Sequence, residues 1–128
     1  MARMKRIKFI VLSAAFTATL SCPLSCTNNV TYDPLLAQPQ TLAAIMEGPD
    51  ISQIGEAYLK DHSRENTSNK LVQQLLKNIP NDVTDLNDVL ALKIRDDFKN
   101  ERTVMIDGWV LSQTEAHQAA LFSLTQPN

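Results

Sequence analysis

The most reactive side chains of this sequence are two cysteines, Cys22 and Cys26, and two histidines, His62 and His117. Thiolates and imidazoles are the usual ligands of zinc, and an imidazole can also act as a general acid or base near neutral pH. The Cys-x-x-x-Cys spacing has no further cysteine or nearby histidine to complete a metal site, and neither His-x-x-x-His nor Glu-x-x-His occurs. The three glycines are isolated, so no phosphate-binding loop is present in the sequence. The sequence therefore predicts no metal and no cofactor.

The two thiols follow a segment that is ordered as an export signal. Basic residues crowd the start, Phe9 to Ser21 then carries no charge, and the cysteines come directly afterwards. The stretch from Ala18 to Cys22, which reads Ala-Thr-Leu-Ser-Cys, resembles the cleavage site of bacterial lipoproteins. That resemblance implies that the thiol of Cys22 carries a diacylglycerol and that Cys22 becomes the mature N-terminus. Cys22 is accordingly the predicted lipidation site, and the membrane is a predicted partner.

Two other interpretations of this segment remain open, namely secretion with full release and an uncleaved anchor. A helix over the apolar run would rise about 20 Å, whereas the hydrocarbon core of a bilayer is roughly 30 Å thick. This length favours a cleaved signal over an anchor. If Cys22 is not acylated, it can instead form a disulfide with Cys26, which would close only a small loop.

The sequence divides into three parts by composition. Residues 1–21 are predicted to be the signal peptide, 22–40 a flexible tether, and 41–128 a single helical domain. The tether prediction depends on turn-forming residues and on Pro34 and Pro39, which cannot donate helical hydrogen bonds. Plain terminal disorder is the alternative interpretation of this part.

Charge excludes one class of function. Removal of the signal would take away four of the twelve Lys and Arg residues and would leave eight basic and fourteen acidic residues, a formal charge of −6. Because nucleic-acid binding requires a basic surface, an acidic body of this kind argues against a nucleic-acid partner.

Apolar residues recur at helical spacing in four stretches between Leu42 and Phe98. The sequence predicts that Gly48-Pro49 ends the first helix, that Asp50 caps the second, and that Thr67 or Ser68 caps the third. Gly55 lies within the second helix and suggests that another helix passes close to it. The predicted core-facing residues are Leu42, Ile45 and Met46; Ile51, Ile54, Tyr58 and Leu59; Leu71, Val72, Leu75, Leu76 and Ile79; and Leu86, Val89, Leu90, Ile94 and Phe98.

The last third of the chain changes from helical to strand-like patterning. β-favouring residues flank Asp107-Gly108, a pair typical of two-residue hairpin turns. Ser112 and Glu115 then form the pattern of a capping box at the start of a final helix. The predicted fold class is therefore mainly α, with four to five short helices and one small β-hairpin near the C-terminus.

The same region carries a second resemblance. Asp107 to Ser112 reads Asp-Gly-Trp-Val-Leu-Ser and is followed by Thr114-Glu115-Ala116, while Ile54 to Leu59 reads Ile-Gly-Glu-Ala-Tyr-Leu. These blocks, about a quarter of the chain, resemble a family of small exported bacterial proteins of unknown function. The resemblance implies export and a shared architecture, and it assigns no catalytic residue.

Carboxylates are the remaining candidates for chemistry. Asp96 and Asp97 are adjacent, and neighbouring side chains on a helix point apart, so we expect a solvated face there. Glu56 and Glu115 are the candidates if the protein is a small enzyme or a ligand-binding domain. Glu115 has a competing role as a helix cap, and His62 suits the negative end of the second helix.

The leading hypothesis from the sequence is a non-enzymatic, exported accessory or interaction protein of the bacterial cell envelope, anchored through Cys22 and docked to a larger exported protein. Trp109, next to the turn residue Asp107, is either a core residue that holds the hairpin against the helices or a partner contact. The two alternatives are the carboxylate-based enzyme or ligand-binding domain and a stand-alone structural protein of the envelope.

Overall fold

The computed structural model describes residues 31–126. The predicted signal peptide, the lipidation site Cys22, Cys26 and the tether up to Val30 lie outside the described residues.

The predicted fold class is confirmed, with five α-helices and one antiparallel hairpin in the described part. The helices are α1 (Gln40–Ala43), α2 (Gly48–Asp61), α3 (Ser68–Leu76), α4 (Leu86–Lys99) and α5 (Gln113–Thr125), and the strands β1 (Thr103–Ile106) and β2 (Trp109–Ser112) lie between α4 and α5. Two 3-10 turns, Pro34–Ala37 and Ser63–Glu65, precede α1 and follow α2.

Helix α5 is the centre of the described fold. Every residue from Thr114 to Leu121 is buried, and α2, α3, α4, both strands and the first 3-10 turn all pack against this helix. A helix that is buried on all sides carries no polar stripe, which explains the run of small and apolar residues Ala116, Ala119, Ala120 and Leu121.

Gly55 permits the closest contact in this packing. A Cβ atom at this position would lie 2.2 Å from the carbonyl oxygen of Ala119 and 2.9 Å from Cβ of Ser123. The expectation that another helix passes close to Gly55 is therefore confirmed, and that helix is α5.

Three of the helices begin with a side chain that caps their first turn. Thr67 caps α3, Asp85 caps α4, and Ser112 caps α5 by accepting from backbone N–H groups. The role predicted for Gly48-Pro49 is wrong, because these residues begin α2 instead of ending α1. A proline in the first helical turn loses no hydrogen bond, since its missing N–H would have no partner there.

Part of the predicted tether belongs to the packed body. Asp33 accepts from the backbone of Leu35 and caps the 3-10 turn Pro34–Ala37. Leu36 is completely buried and Ala37 and Pro39 are also buried. The packed body therefore includes Leu36, upstream of the predicted boundary at residue 41, because Leu36 fills space against α5.

The hairpin forms as predicted. Asp107 and Gly108 both have positive φ angles, 49° and 87°, which is the type I′ turn that matches the twist of the strands. The register pairs Met105 with Val110 and Ile106 with Trp109. Because side chains alternate along a strand, Ile106 lies on the inner face and Met105 and Val110 lie on the outer face.

Within residues 31–126, no helix combines the length and the apolar character that a membrane-spanning segment requires.

Candidate functional site

The buried polar side chains are concentrated at the start of α5. Six polar or charged residues are buried in the described part of the chain, and five of them lie between Ser112 and Gln118. The six are Asp97, Ser112, Thr114, Glu115, His117 and Gln118. Buried polar groups need hydrogen-bond partners, so the contacts of this cluster indicate what each group does.

Asp97 joins the end of α4 to the start of α5. One carboxylate oxygen accepts from the backbone N–H of Thr114 at 2.8 Å and from its hydroxyl at 2.7 Å, and the other accepts from Nε of Arg102 at 3.1 Å. Asp97 is only 3 % exposed. Its carboxylate therefore occupies the positive end of α5, where an external anion would otherwise bind.

The expectation of a solvated face at Asp96 and Asp97 is thus wrong for Asp97. Asp96 is exposed and pairs with the guanidinium of Arg102, whereas Asp97 points inward. Phe98, predicted to face the core, is 45 % exposed instead. The face of α4 that meets α5 includes Asp97 in place of Phe98 because the α5 N-terminus offers hydrogen-bond donors at that point.

Glu115 is fully engaged as a structural residue. Its Oε1 accepts from the backbone N–H of Ser112 at 2.9 Å, and its own N–H donates to the Ser112 hydroxyl, which completes the predicted capping box. Its Oε2 accepts from the hydroxyl of Thr41 at 2.7 Å, which connects α1 to α5. The other candidate carboxylate, Glu56, is exposed on α2, and neither glutamate lines the groove described below.

His117 belongs to a buried cluster that the sequence did not indicate. The hydroxyl of Tyr58 donates to Oε1 of Glu65 at 2.8 Å, and Nε2 of His117 lies 3.0 Å from that hydroxyl and 3.3 Å from Oε1 of Glu65. Since the hydroxyl proton is directed to Glu65, both neighbours of Nε2 are acceptors, and Nε2 must carry a proton that it donates to them. The cluster connects α2, the turn Ser63–Glu65 and α5.

Burial and hydrogen bonding shift the pKa values of all three groups. Burial, followed by the hydrogen bond and charge of Glu65, raises the pKa of Tyr58. The hydrogen bond from Tyr58 lowers the pKa of Glu65. Burial lowers the pKa of His117 below its ordinary value of 6.5, although the charge of Glu65 acts in the opposite direction. Near neutral pH the cluster therefore contains a neutral phenol, a carboxylate and a neutral imidazole.

His62 lies at the C-terminal end of α2, as the sequence predicted. Its ring stacks on Tyr58 with centroids 4.0 Å apart, and its Nδ1 lies 3.0 Å from the carbonyl oxygen of Tyr58. These contacts hold the position of the Tyr58 ring, and Nε2 of His117 approaches the hydroxyl at its far end.

A groove of about 770 Å³ runs between the end of α3, the face of α4 and the start of α5. Lys93 crosses it, donating to the carbonyl oxygens of Gln74, Leu75 and Lys77 at 2.7–3.2 Å and so satisfying the C-terminal end of α3. Burial lowers the pKa of Lys93. The lining is Gln74, Lys77, Asn78, Ile79, Val89, Leu92, Lys93, Asp96, Asp97, Arg102, Gln113, Thr114 and His117.

The two predicted partner contacts are both exposed on the hairpin. Asp107 occupies the turn, and Trp109 follows it with 43 % of its surface exposed. Neither lines the groove. The more exposed neighbours Met105 (72 %) and Val110 (54 %) were not singled out from the sequence, although strict alternation around the Asp-Gly turn places them on one face.

Among residues 31–126, no three His, Cys, Asp or Glu side chains come together in a way that could hold a metal ion. Comparison of the chain with protein-family profiles, curated proteins and solved structures found no match.

Proposed function

We propose that this protein is an exported, lipid-anchored accessory protein of the bacterial cell envelope that docks a larger exported protein through the outer face of its C-terminal hairpin. The proposal treats the protein as non-enzymatic. The observation that supports the docking role is the exposure of two large apolar side chains, Met105 and Val110, that face each other across the two strands.

The outer face of the hairpin is apolar at its centre. Met105 and Val110 form a directly opposed pair. Trp109 is paired with Ile106, so its side chain starts from the other face, beside the turn, where 43 % of the residue is exposed. Aromatic side chains and Met are enriched at protein interfaces relative to the rest of the surface. We therefore place the centre of the partner contact at Met105 and Val110, with Trp109 and Asp107 at its margin, beside the turn.

At Met105 and Val110 the two strand edges carry backbone N–H and C=O groups that a partner strand could bind. In a two-residue hairpin the residues that flank the turn, here Ile106 and Trp109, exchange hydrogen bonds with each other. Met105 and Val110 are then the non-hydrogen-bonded pair, so their N–H and C=O groups point away from the partner strand. An extended apolar segment of the partner can add a third strand at either edge and cover the neighbouring side chain.

The polar groups of the molecule support a structural, non-enzymatic role for its carboxylates. Asp97 and Glu115 each accept two or more hydrogen bonds that hold the start of α5. A carboxylate engaged in this way would have to break native contacts before it could act as a base.

A crosslinking experiment in the producing bacterium tests the docking role. A photo-crosslinking amino acid is introduced at Val110 and, in separate strains, at Met105 and at Lys60, an exposed position on α2 that serves as control. We expect Val110 and Met105 to capture one and the same exported protein, identified by mass spectrometry, and Lys60 not to capture it. No repeatable product at either hairpin position would contradict the proposal and favour a stand-alone structural protein.

The anchoring part of the proposal has its own measurement. Mass spectrometry of the mature N-terminus from a membrane fraction should find diacylglycerol on Cys22. A free N-terminus further along the chain would replace the anchor with secretion, and this outcome is independent of the crosslinking result.

A further inference from the structure

The imidazole of His117, in the lining of the groove between α3, α4 and α5, has one nitrogen without a hydrogen-bond partner among residues 31–126. The side chain of His117 lines this groove and is only 10 % exposed. Its Nε2 donates to the hydroxyl of Tyr58 and the carboxylate of Glu65, while its Nδ1 makes no hydrogen bond to any residue between 31 and 126. A buried imidazole nitrogen without a partner is costly unless water or a ligand satisfies it.

The charges around His117 select the kind of ligand. Three cations, Lys77, Lys93 and Arg102, line the groove. The two carboxylates that also line it, Asp96 and Asp97, are both paired with Arg102. The lining of the groove thus holds three cations against two carboxylates, although acidic residues outnumber basic ones in the chain as a whole. A cationic ligand would be repelled there and an anionic one attracted.

Apolar side chains complete the lining. Ile79, Val89 and Leu92 lie in the same groove, and Leu92 is 60 % exposed. The other ten lining residues are polar or charged, so the groove combines a small apolar patch with many polar groups. Its volume falls within the usual range of small-molecule sites.

We propose that this groove binds a small organic carboxylate, with the carboxylate at Nδ1 of His117 and the apolar part of the ligand against Ile79, Val89 and Leu92. Nδ1 takes up a proton from solvent when the anion binds and donates it to the carboxylate oxygen. Lys77 attracts the anion from the rim of the groove. This site is separate from the hairpin face and does not depend on the docking role.

Because binding involves proton uptake by His117, the affinity of the site for the anion should depend on pH. Four titratable groups influence the His117 ring, namely Tyr58 from α2, Glu65 from the turn after α2, and Lys93 and Asp97 from α4. Burial holds the pKa of His117 low in the free protein. A carboxylate at Nδ1 favours the protonated ring, so binding should raise that pKa and should strengthen as the pH falls toward it.

Nuclear magnetic resonance can follow this directly because the chain has only two histidines. The full mature protein is titrated with hexanoate, and the ring resonances of both histidines are followed from pH 5 to pH 8. We expect a saturable shift at His117, a rise in its pKa with hexanoate bound, and no saturable shift at His62. Hexanol is the uncharged control ligand and should bind at least about tenfold more weakly, since it lacks the charge-assisted hydrogen bond.

Three variants locate the binding. Lys77→Glu reverses an exposed charge on the rim and should weaken hexanoate binding about fivefold. Lys60→Glu makes the same charge change on α2, outside the groove, and should leave the affinity unchanged. His117→Gln should reduce the affinity at least about tenfold, measured by the backbone resonances of Gln113 and Lys77.

Either of two results would overturn the proposal. The first is hexanoate and hexanol binding equally well, because the groove would then be an apolar site without selection for the anion. The second is a shift at His117 that never saturates, or a His117 pKa that hexanoate leaves unchanged. If His117→Gln fails to fold, the affinities of Lys77→Glu and Lys60→Glu for hexanoate still test the proposal. Equal affinities of these two variants would contradict it.

Discussion

The contact between α4 and the start of α5, and the outer face of the hairpin that links these helices, show an inverted distribution of polar and apolar groups. On the inner side, which we define as the start of α5, the carboxylates of Asp97 and Glu115 are buried and accept hydrogen bonds from backbone N–H groups. On the outer side, Met105 and Val110 are exposed to solvent. One short region therefore combines costly buried charge with an apolar surface that nothing covers in the described chain.

The difference indicates which groups serve the fold and which are available for binding. Every carboxylate oxygen of Asp97 and Glu115 accepts a hydrogen bond, and one oxygen of each carboxylate holds the start of α5. No comparable requirement explains the apolar outer face, because the hairpin already packs against the helices through Ile106 and Leu111. Substitutions on the inner side should therefore affect stability, and those on the outer side should affect binding.

The largest effect is expected for Asp97→Ala. This substitution removes the acceptor of three hydrogen bonds and leaves the buried N–H and hydroxyl of Thr114 without a partner, whereas Arg102 keeps Asp96. We expect a loss of about 2–4 kcal/mol in the free energy of unfolding, measured by urea denaturation, because two buried donors lose their acceptor. The adjacent Asp96→Ala is the control and should cost less than about 1 kcal/mol, since Asp96 is exposed. Equal costs for the two variants would remove the distinction between the two carboxylates.

A moderate effect is expected from pH. The pKa of His117 is lowered in the folded protein, so below its ordinary value of 6.5 the unfolded chain binds a proton that the folded chain does not. Stability should therefore fall as the pH falls from about 7 toward the lowered pKa, by at most about 1.4 kcal/mol per pH unit for this one proton. Glu65, whose pKa is also lowered, should add a further loss at more acidic pH.

Thermal or urea denaturation between pH 7 and pH 5 measures this slope. His117→Gln should flatten it, and His62→Gln should keep it because His117 is still present. A slope that His117→Gln leaves unchanged would assign the dependence to other groups.

The smallest effect is expected on the outer face. The double substitution of Met105→Thr and Val110→Thr retains residues that favour strands and should change the free energy of unfolding by no more than about 0.5 kcal/mol. Ile106→Thr is the matched control on the inner face, where the side chain is 5 % exposed, and should cost more than about 1 kcal/mol. If both changes cost the same, the outer face would be part of the stabilising core.

Local signals in the sequence predicted the C-terminal third well. The Asp107-Gly108 turn and the Ser112–Glu115 capping box depend on residues within a few positions of each other, so their chemistry is visible in the printed order. The close approach at Gly55 was predicted from one costly residue in a helix, although the partner helix could not be named. The core role of Tyr58 was also predicted, and the residue is 3 % exposed.

Apart from the local error at Gly48-Pro49, the features that the sequence did not predict depend on distant contacts. Asp97 is buried because α5 returns to the end of α4 after the hairpin, and its partner Thr114 is 17 residues away. Leu36 is buried because it packs against α5. The prolines on either side, Pro34 and Pro39, favoured the prediction of a tether instead. The cluster of Tyr58, Glu65 and His117 joins residues up to 59 positions apart, so no local sequence pattern predicts it. The Ala-rich sequence around His117 was the one available signal, since it indicates a helix crowded on all sides.

The separation between these contacts has a consequence for the order of folding. Asp97, the hairpin and the capping box close loops of 17 residues or fewer, which costs little chain entropy. Docking of α2 and α1 on α5 must close loops of 59 and 74 residues, through Tyr58 with His117 and Thr41 with Glu115. We expect the segment from α4 to α5 to form early as the folding nucleus, and the N-terminal helices to join it later as α2 settles against the carbonyl of Ala119 at Gly55.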